Sequence, residues 1–494
     1  MKQSLVLPGV FLSLFSACAC AQIRTVTLPD KSPVVTLRVV FTAGASVDPT
    51  DKPGVADLTA AMLSGGGTRD LTYKQIVDRM FPMAASVGSE VDEEMTTFFG
   101  ATHTDNLDAY YKLFCAMLFD PGWREDDFKR IKDNAVNALR VGLRGNNDEE
   151  LGKEVLYATL YRGTPYGHYV GGSLSAIEKI TLDDVKQFYK RHYTQSNLIL
   201  GIGGGYPAAF LERMKKDFSV LPAKDETPAG AIKPPAMEHT QALIVEKNTR
   251  SVAYSLGFPI DVKRGDPDYP ALLVMQSYLG PHRLSNGRLF QRIREQRGIN
   301  YGDYAYIEYF PHGSSLMEPQ PNLPRRSQIF QIWIRPAEPP QAAFALRLAV
   351  YELNKLVRDG ISQEDFDATR DFVTKYVNVL TKTKRAELGY AIDSLFYGIP
   401  DYNTYVKNAV AKLTRDQVNA AIRRNLRSDR IQIVAVSAGA EQLKKQLVGT
   451  GPSPIQYNSE KPPEILAEDK IVERFDIGLR LQDVEIVPVD TIFN

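Results

Sequence analysis

The sequence predicts an α+β protein made of two homologous halves, each a mainly antiparallel β-sheet with helices packed on one face. Three observations carry this. The chain has 494 residues, 44% hydrophobic and 24% charged, and a compact unit takes roughly 100–200 residues, so several cores are expected. Residues 222–238 are rich in Pro, Ala and Gly, lack apolar periodicity, and part the chain nearly in the middle. The two sides also repeat one another in order. Asp127-Phe128 opens a long helix as Asp365-Phe366 does, and Leu160-Tyr161-Arg162-Gly163-Thr164-Pro165 parallels Leu395-Phe396-Tyr397-Gly398-Ile399-Pro400. The capped helix start Thr181-Leu182-Asp183-Asp184-Val185 precedes Asn197-Leu198-Ile199-Leu200 at the spacing that separates Thr414-Arg415-Asp416-Gln417-Val418 from Arg430-Ile431-Gln432-Ile433.

Taken in order, residues 1–21 read as a secretory leader: Lys2 supplies charge, an apolar run follows, and Ala17-Cys18-Ala19-Cys20-Ala21 ends in small residues. An exported protein is expected, periplasmic or associated with the outer membrane, with Cys18 as a possible lipid anchor. The run is shorter than the roughly 20 residues that span a bilayer, and no other stretch predicts a transmembrane segment. The first half, 22–221, opens on the β-rich run 35–41 and continues with amphipathic helices over 107–119, 125–143 and 208–218. The second half, 239–450, has its equivalent strand at 251–257 and helices over 341–358 and 364–380. Strands followed by runs of helices predict layered α+β packing. A tail, 451–494, is expected to wrap on the surface of the second half.

Composition excludes several functions. Lys+Arg and Asp+Glu both number 59, so there is no global positive field for nucleic acid. After leader removal only Cys115 remains, in an apolar helical stretch where it reads as a small hydrophobe. Gly201-Ile202-Gly203-Gly204-Gly205 has Tyr206 where a dinucleotide fingerprint needs its last glycine, and reads as a strand-to-helix turn. Ser64-Gly65-Gly66-Gly67 is not a nucleophile elbow, and the six histidines are dispersed.

The informative stretch is Ala43-Gly44-Ala45-Ser46-Val47-Asp48-Pro49, followed by Val55-Ala56-Asp57-Leu58-Thr59-Ala60-Ala61-Met62-Leu63. It resembles the zinc-motif region of the pitrilysin/insulinase metallopeptidases, in which a strand and turn lead into a helix bearing H-x-x-E-H. That resemblance implies clamshell domains, and it places Asp57, Ala60 and Ala61 where the first zinc ligand, the general base and the second ligand stand. The family's third ligand, a glutamate roughly 75 residues on, would fall at Val136 to Ala138, and no glutamate occurs between Glu125 and Glu149. Alanine preserves a helix while removing its chemistry. Asp57 reads as a solvated or capping carboxylate. No catalytic residue and no bound cofactor are expected in this chain.

In the second half, Ser285 reads as the cap of a helix whose apolar face is Leu289, Phe290 and Ile293, and Gly298 marks its exit through positive φ. Arg294 and Tyr301 resemble the family's second-half pair, which projects toward bound peptide. Guanidinium and phenol are donors suited to a carbonyl. The resemblance, over about 27–488, implies a non-catalytic subunit that binds peptide and completes the active site of a homologous partner, the zinc being expected only on that H-x-x-E-H-bearing chain. The alternatives are a stand-alone peptide-binding or chaperone-like module, and an active metallopeptidase with an unrecognised site.

Overall fold

The computed structural model describes residues 23–224, 230–449 and 451–494. The leader with Cys18 and Cys20, and the middle of the 222–238 segment, lie outside the described residues. Two sheets organise the fold. The first contains β1 (Arg24–Pro29), β2 (Val34–Phe41), β3 (Gly88–Val91), β4 (Thr96–His103) and β5 (Leu198–Gly204) in the order β1-β5-β2-β4-β3. The second contains β6 (Gln241–Glu246), β7 (Val252–Ile260), β8 (Gly302–Tyr306), β9 (Gln328–Ala337), β10 (Gln432–Ser437) and β11 (Val484–Pro488) in the order β11-β6-β10-β7-β9-β8. Apart from β11 the two orders match strand for strand. β1 pairs parallel with β5, β6 pairs parallel with both β10 and β11, and the remaining pairs are antiparallel. The sheets are therefore mixed, the parallel strands being those joined across a whole half.

The two faces of each sheet have different owners. In the first, Val35, Leu37, Val39 and Phe41 of β2 join Leu198, Leu200 and Ile202 of β5 in the core under that half's own helices. Alternation sends Val40 and Ile199 to the opposite face, where they meet Leu388 and Ile392 of the helix Lys384–Tyr397 from the second half. The exchange is reciprocal: Leu151 and Val155 of the helix Asp148–Leu160 pack with Val245, Val434 and Val436 of the second sheet. Helices on one face only were expected; each sheet has a second layer lent by the other half.

The loan explains a glycine run. Gly201–Gly204 belongs to β5 rather than to a turn, because a Cβ on Gly201 would lie 2.8 Å from Ile392 Cδ1 of the lent helix. Further along, the helix expected over 125–143 is α-helical only to Asn137, and Ala138–Gly145 continues as a π-helix. The tail packs on the second half, where Arg297 donates to Glu468 and Asp469, up to its last residues. After β11 joins the second sheet, the end of the chain crosses to the first half, where the Leu174 amide donates to the Phe493 carbonyl at 3.0 Å and the Phe493 ring stacks on Tyr169.

Charge fills the seam between the halves. Arg325, 2% exposed, donates to Asp92 at 3.2 Å and lies 4.0 Å from Glu93. Arg326 donates to Glu94 at 2.8 Å, and Arg38 of the first half donates to the side chain of Asn322, whose amide is held by Asp393 of the lent helix. Buried pairs of this kind contribute little net stability, but removing one partner strands a desolvated charge.

Candidate functional site

Helix α1 (Val55–Gly65) follows β2 through a short 3-10 turn, and its entry is fixed by Asp48, whose carboxylate accepts from the Gly54 amide at 2.6 Å and the Ala56 amide at 3.0 Å. Capping is thus done by Asp48. Asp57, expected to be solvated or capping, is half-buried within the first turn and faces a cavity of about 370 Å³ between the halves. Ala60 is buried at 1% exposure and Ala61 is half-buried against the core, so the positions of base and second ligand carry only methyl groups.

Glu90, Asp92 and Glu154 also line this cavity, with Tyr309 and His312 from the second half. Burial pushes the Asp57 carboxyl up to about 6. Burial likewise raises Glu90 to about 7, against the attraction of Arg38 and with repulsion from Asp92. Glu154 is raised to about 8 by burial and then by Glu150, although Arg325, Lys153 and a 3.2 Å hydrogen bond from the Tyr309 hydroxyl favour its charged form. Burial thus shifts each of these carboxyls toward its neutral form, whereas a dication requires its ligands ionised.

The residues do not fit zinc. Val136, at the third-ligand position, is packed against the core of the first half. The next carboxylates are already engaged: Glu150 pairs with Lys153 at 2.8 Å and accepts from the His312 amide at 2.6 Å, and Glu149 pairs with Arg335. Among the described residues no group of three or more His, Cys, Asp or Glu could hold a metal ion. Cys115 is half-buried, and burial pushes its thiol up to about 12.

Arg294 and Tyr301 come together elsewhere. Arg294 lies on the π-helical segment Phe290–Glu295 and Tyr301 just precedes β8. The Arg294 guanidinium carbon is 4.3 Å from the centre of the Tyr301 ring and 4.7 Å from that of Phe290. Gly298 turns the chain between them at φ 69°, the left-handed conformation expected of it. Ser285 does not cap this helix: helical structure starts at Arg288, and Ser285 offers its carbonyl to the Gln291 side chain. The pair borders a groove of about 800 Å³, and Tyr301 is 72% exposed. No residue lines both this groove and the Asp57 cavity; the turn over 311–317 lies between them, with His312 on the cavity and Met317 on the groove.

The acidic cavity and the charged seam were not anticipated from the sequence. Asp92-Glu93-Glu94 and Arg325-Arg326 are visible as short charge runs, but only the fold brings positions so far apart into register.

Family comparisons agree with this architecture. A family model described as Insulinase (Peptidase family M16) matches residues 24–173, and one described as Peptidase M16 inactive domain matches residues 179–372. The chain belongs to the insulinase family, peptidase family M16. It is similar to a Helicobacter pylori protein named "Non-peptidase homolog YmxG", 22% identical over 455 residues, covering 88% of this chain and 99% of that one. It is also 22% identical over 250 residues to a Bacillus subtilis protein named "Uncharacterized zinc protease YmxG", covering 51% of this chain and 59% of the relative. Among solved structures, a peptidase M16 inactive domain from Pseudomonas fluorescens shares the fold, with TM-score 0.73 and 23% identity over 83% of this chain and 94% of that one. Within the M16 family this chain is a degenerate, peptidase-like member, and its sequence contains no H-x-x-E-H.

Proposed function

We propose that the protein is the non-catalytic subunit of an exported zinc peptidase of the insulinase family, binding peptide and completing the active site of a homologous partner that bears H-x-x-E-H and holds the zinc. One contrast carries this reading. The α1 positions have become alanine and a protonatable, cavity-facing aspartate, while Arg294 and Tyr301 remain paired on an open groove. A residue pair needed only for stability has no reason to leave a tyrosine 72% exposed. Export rests on the leader-like residues 1–21, with Cys18 as the anchor if the chain is lipidated. The guanidinium and phenol would donate to carbonyl oxygens of an extended peptide and hold it in register.

The test is to express the chain alone and with an H-x-x-E-H homologue from the same genome. Peptidase activity is expected only from the pair, and Arg294→Ala or Tyr301→Phe in this chain should lower it by on the order of ten- to a hundredfold. Unchanged activity in both variants would defeat the proposed role. Peptide binding by the isolated chain, with no activity gained from any partner, would instead favour a stand-alone peptide-binding module.

A further inference from the structure

Resting on the reading of Arg294 and Tyr301 as a peptide site, the geometry points to a selectivity of that groove: it takes a peptide through a carboxylate, held by Arg283 and Arg294 with Arg335 behind them. All three guanidinium-bearing residues line the same groove, and no aspartate or glutamate does. The carboxylates nearby are already committed. Glu149 lies behind the wall, 6% exposed, shared between Arg335 and Lys153. Glu295 makes only a long ion pair with Arg294, at 3.9 Å, and is itself half exposed, so water screens it. Asp303 is fully buried, accepts from the Asn300 side chain, and burial pushes its pKa well above the usual range, so it offers Arg294 little charge. The groove is left with an excess of positive charge.

Arg283 supplies an independent sign that this excess is maintained at a cost. Its backbone sits at φ 56°, a conformation that favours glycine. Its guanidinium is anchored on main-chain carbonyls, Ser314 at 2.8 Å and Gly313 at 3.4 Å, rather than on an acid. Carbonyl partners orient a guanidinium without neutralising it: both bonds come from Nη2, Nη1 also reaches the Met317 sulfur at 3.7 Å, and the charge stays available to a carboxylate oxygen approaching Nε or the second Nη1 hydrogen. Phe290, Tyr301 and Tyr304 complete the lining, suited to the apolar neighbours of an acidic residue. An Asp or Glu side chain and a peptide C-terminus present the same carboxylate oxygens to this groove.

Fluorescence anisotropy on the full chain, alone and in complex with its zinc-bearing partner, separates them. One arm compares an amidated peptide containing Asp and Glu with its Asn/Gln counterpart; the other compares the Asn/Gln peptide with a free C-terminus against its amide. One of the two carboxylates should raise affinity about ten- to a hundredfold, and the gain should shrink between about 50 and about 300 mM salt. Arg283→Gly, which suits the backbone, should abolish the gain while leaving the neutral peptide's affinity unchanged, whereas Arg294→Met should abolish the gain and weaken the neutral peptide as well. Circular dichroism verifies the fold of each variant. Equal affinity for acidic and neutral peptides in both arms would overturn the selectivity and leave peptide binding standing. Failure of every peptide to bind would overturn both.

Discussion

Replacing Glu154 by glutamine should change how stability depends on pH far more than it changes stability in acid. Glu154 lies on the lent helix Asp148–Leu160, is 5% exposed, and has burial and Glu150 holding its carboxyl up to about 8 against an ordinary 4.5. Because the folded value is the higher one, the stabilisation is complete below the unfolded pKa and is lost as pH rises through the folded pKa. Between those values the unfolded chain is ionised while the folded one keeps its proton, and each pH unit withdraws about 1.4 kcal/mol. From about pH 5.5 to about pH 8.5 the wild type should therefore lose about 3 kcal/mol that Glu154→Gln, which cannot ionise and can still accept from the Tyr309 hydroxyl, retains. Urea unfolding followed by tyrosine fluorescence at both pH values reads this directly. The variant should be near wild type in acid and clearly more stable in base. An equal difference at the two pH values would mean that Glu154 ionises as if in water, and the account of a desolvated seam would be wrong.

Three further perturbations test other parts of the structure. Installing Asp57→His, Ala60→Glu and Ala61→His together should not create a stoichiometric zinc site, because Val136 to Ala138 supply no third ligand; one tightly held zinc per chain after dialysis would refute this. Ile392→Ala, fully buried between the lent helix and the first sheet, should cost about 2–5 kcal/mol by thermal or urea unfolding, and Gly201→Ala about 1–3 kcal/mol through its clash with Ile392. The two should be non-additive, the glycine change costing less once Ile392 is shortened. Arg325→Met should cost about 3–5 kcal/mol at neutral pH by leaving Asp92 and Glu93 buried without a partner, and the loss should shrink as pH falls and those carboxyls take up protons. A loss below about 1 kcal/mol would show that the seam does not depend on this guanidinium.

Much of the architecture was legible in the sequence because local rules and the duplication agree. Period-3.6 patterns located the helices Leu107–Phe119 and Ala208–Phe218 to the residue, and Thr181 and Thr414 cap their helices with capping boxes in both halves. The lack of an H-x-x-E-H motif was legible too, since a motif of fixed spacing either has its histidines or lacks them. What was not legible was anything decided by one half touching the other. Gly201-Ile202-Gly203-Gly204 looks like a turn until Ile392 is known to lie against it. Asp57 looks solvated until Glu90 and Glu154 close around the same cavity. Ser285 has the chemistry of a cap, but Gly287 accepts the first helical bond, from the Gln291 amide at 2.9 Å, and no local pattern decides between them. Arg294 and Tyr301 were singled out only through the resemblance to the family's second-half pair, and the fold brings their side chains together. Arg283 and Arg335 carry no such resemblance and join them only through the fold.

The exchanged helices have a consequence for how such a gene could be divided or joined. Since Asp148–Leu160 seals the rear of the second sheet and Lys384–Tyr397 that of the first, two polypeptides cut between the sheets would each carry the lid the other requires. Such fragments should be insoluble when made singly and should find each other when made together, so a single-chain origin by fusion of two mutually dependent products requires no new surface to be invented.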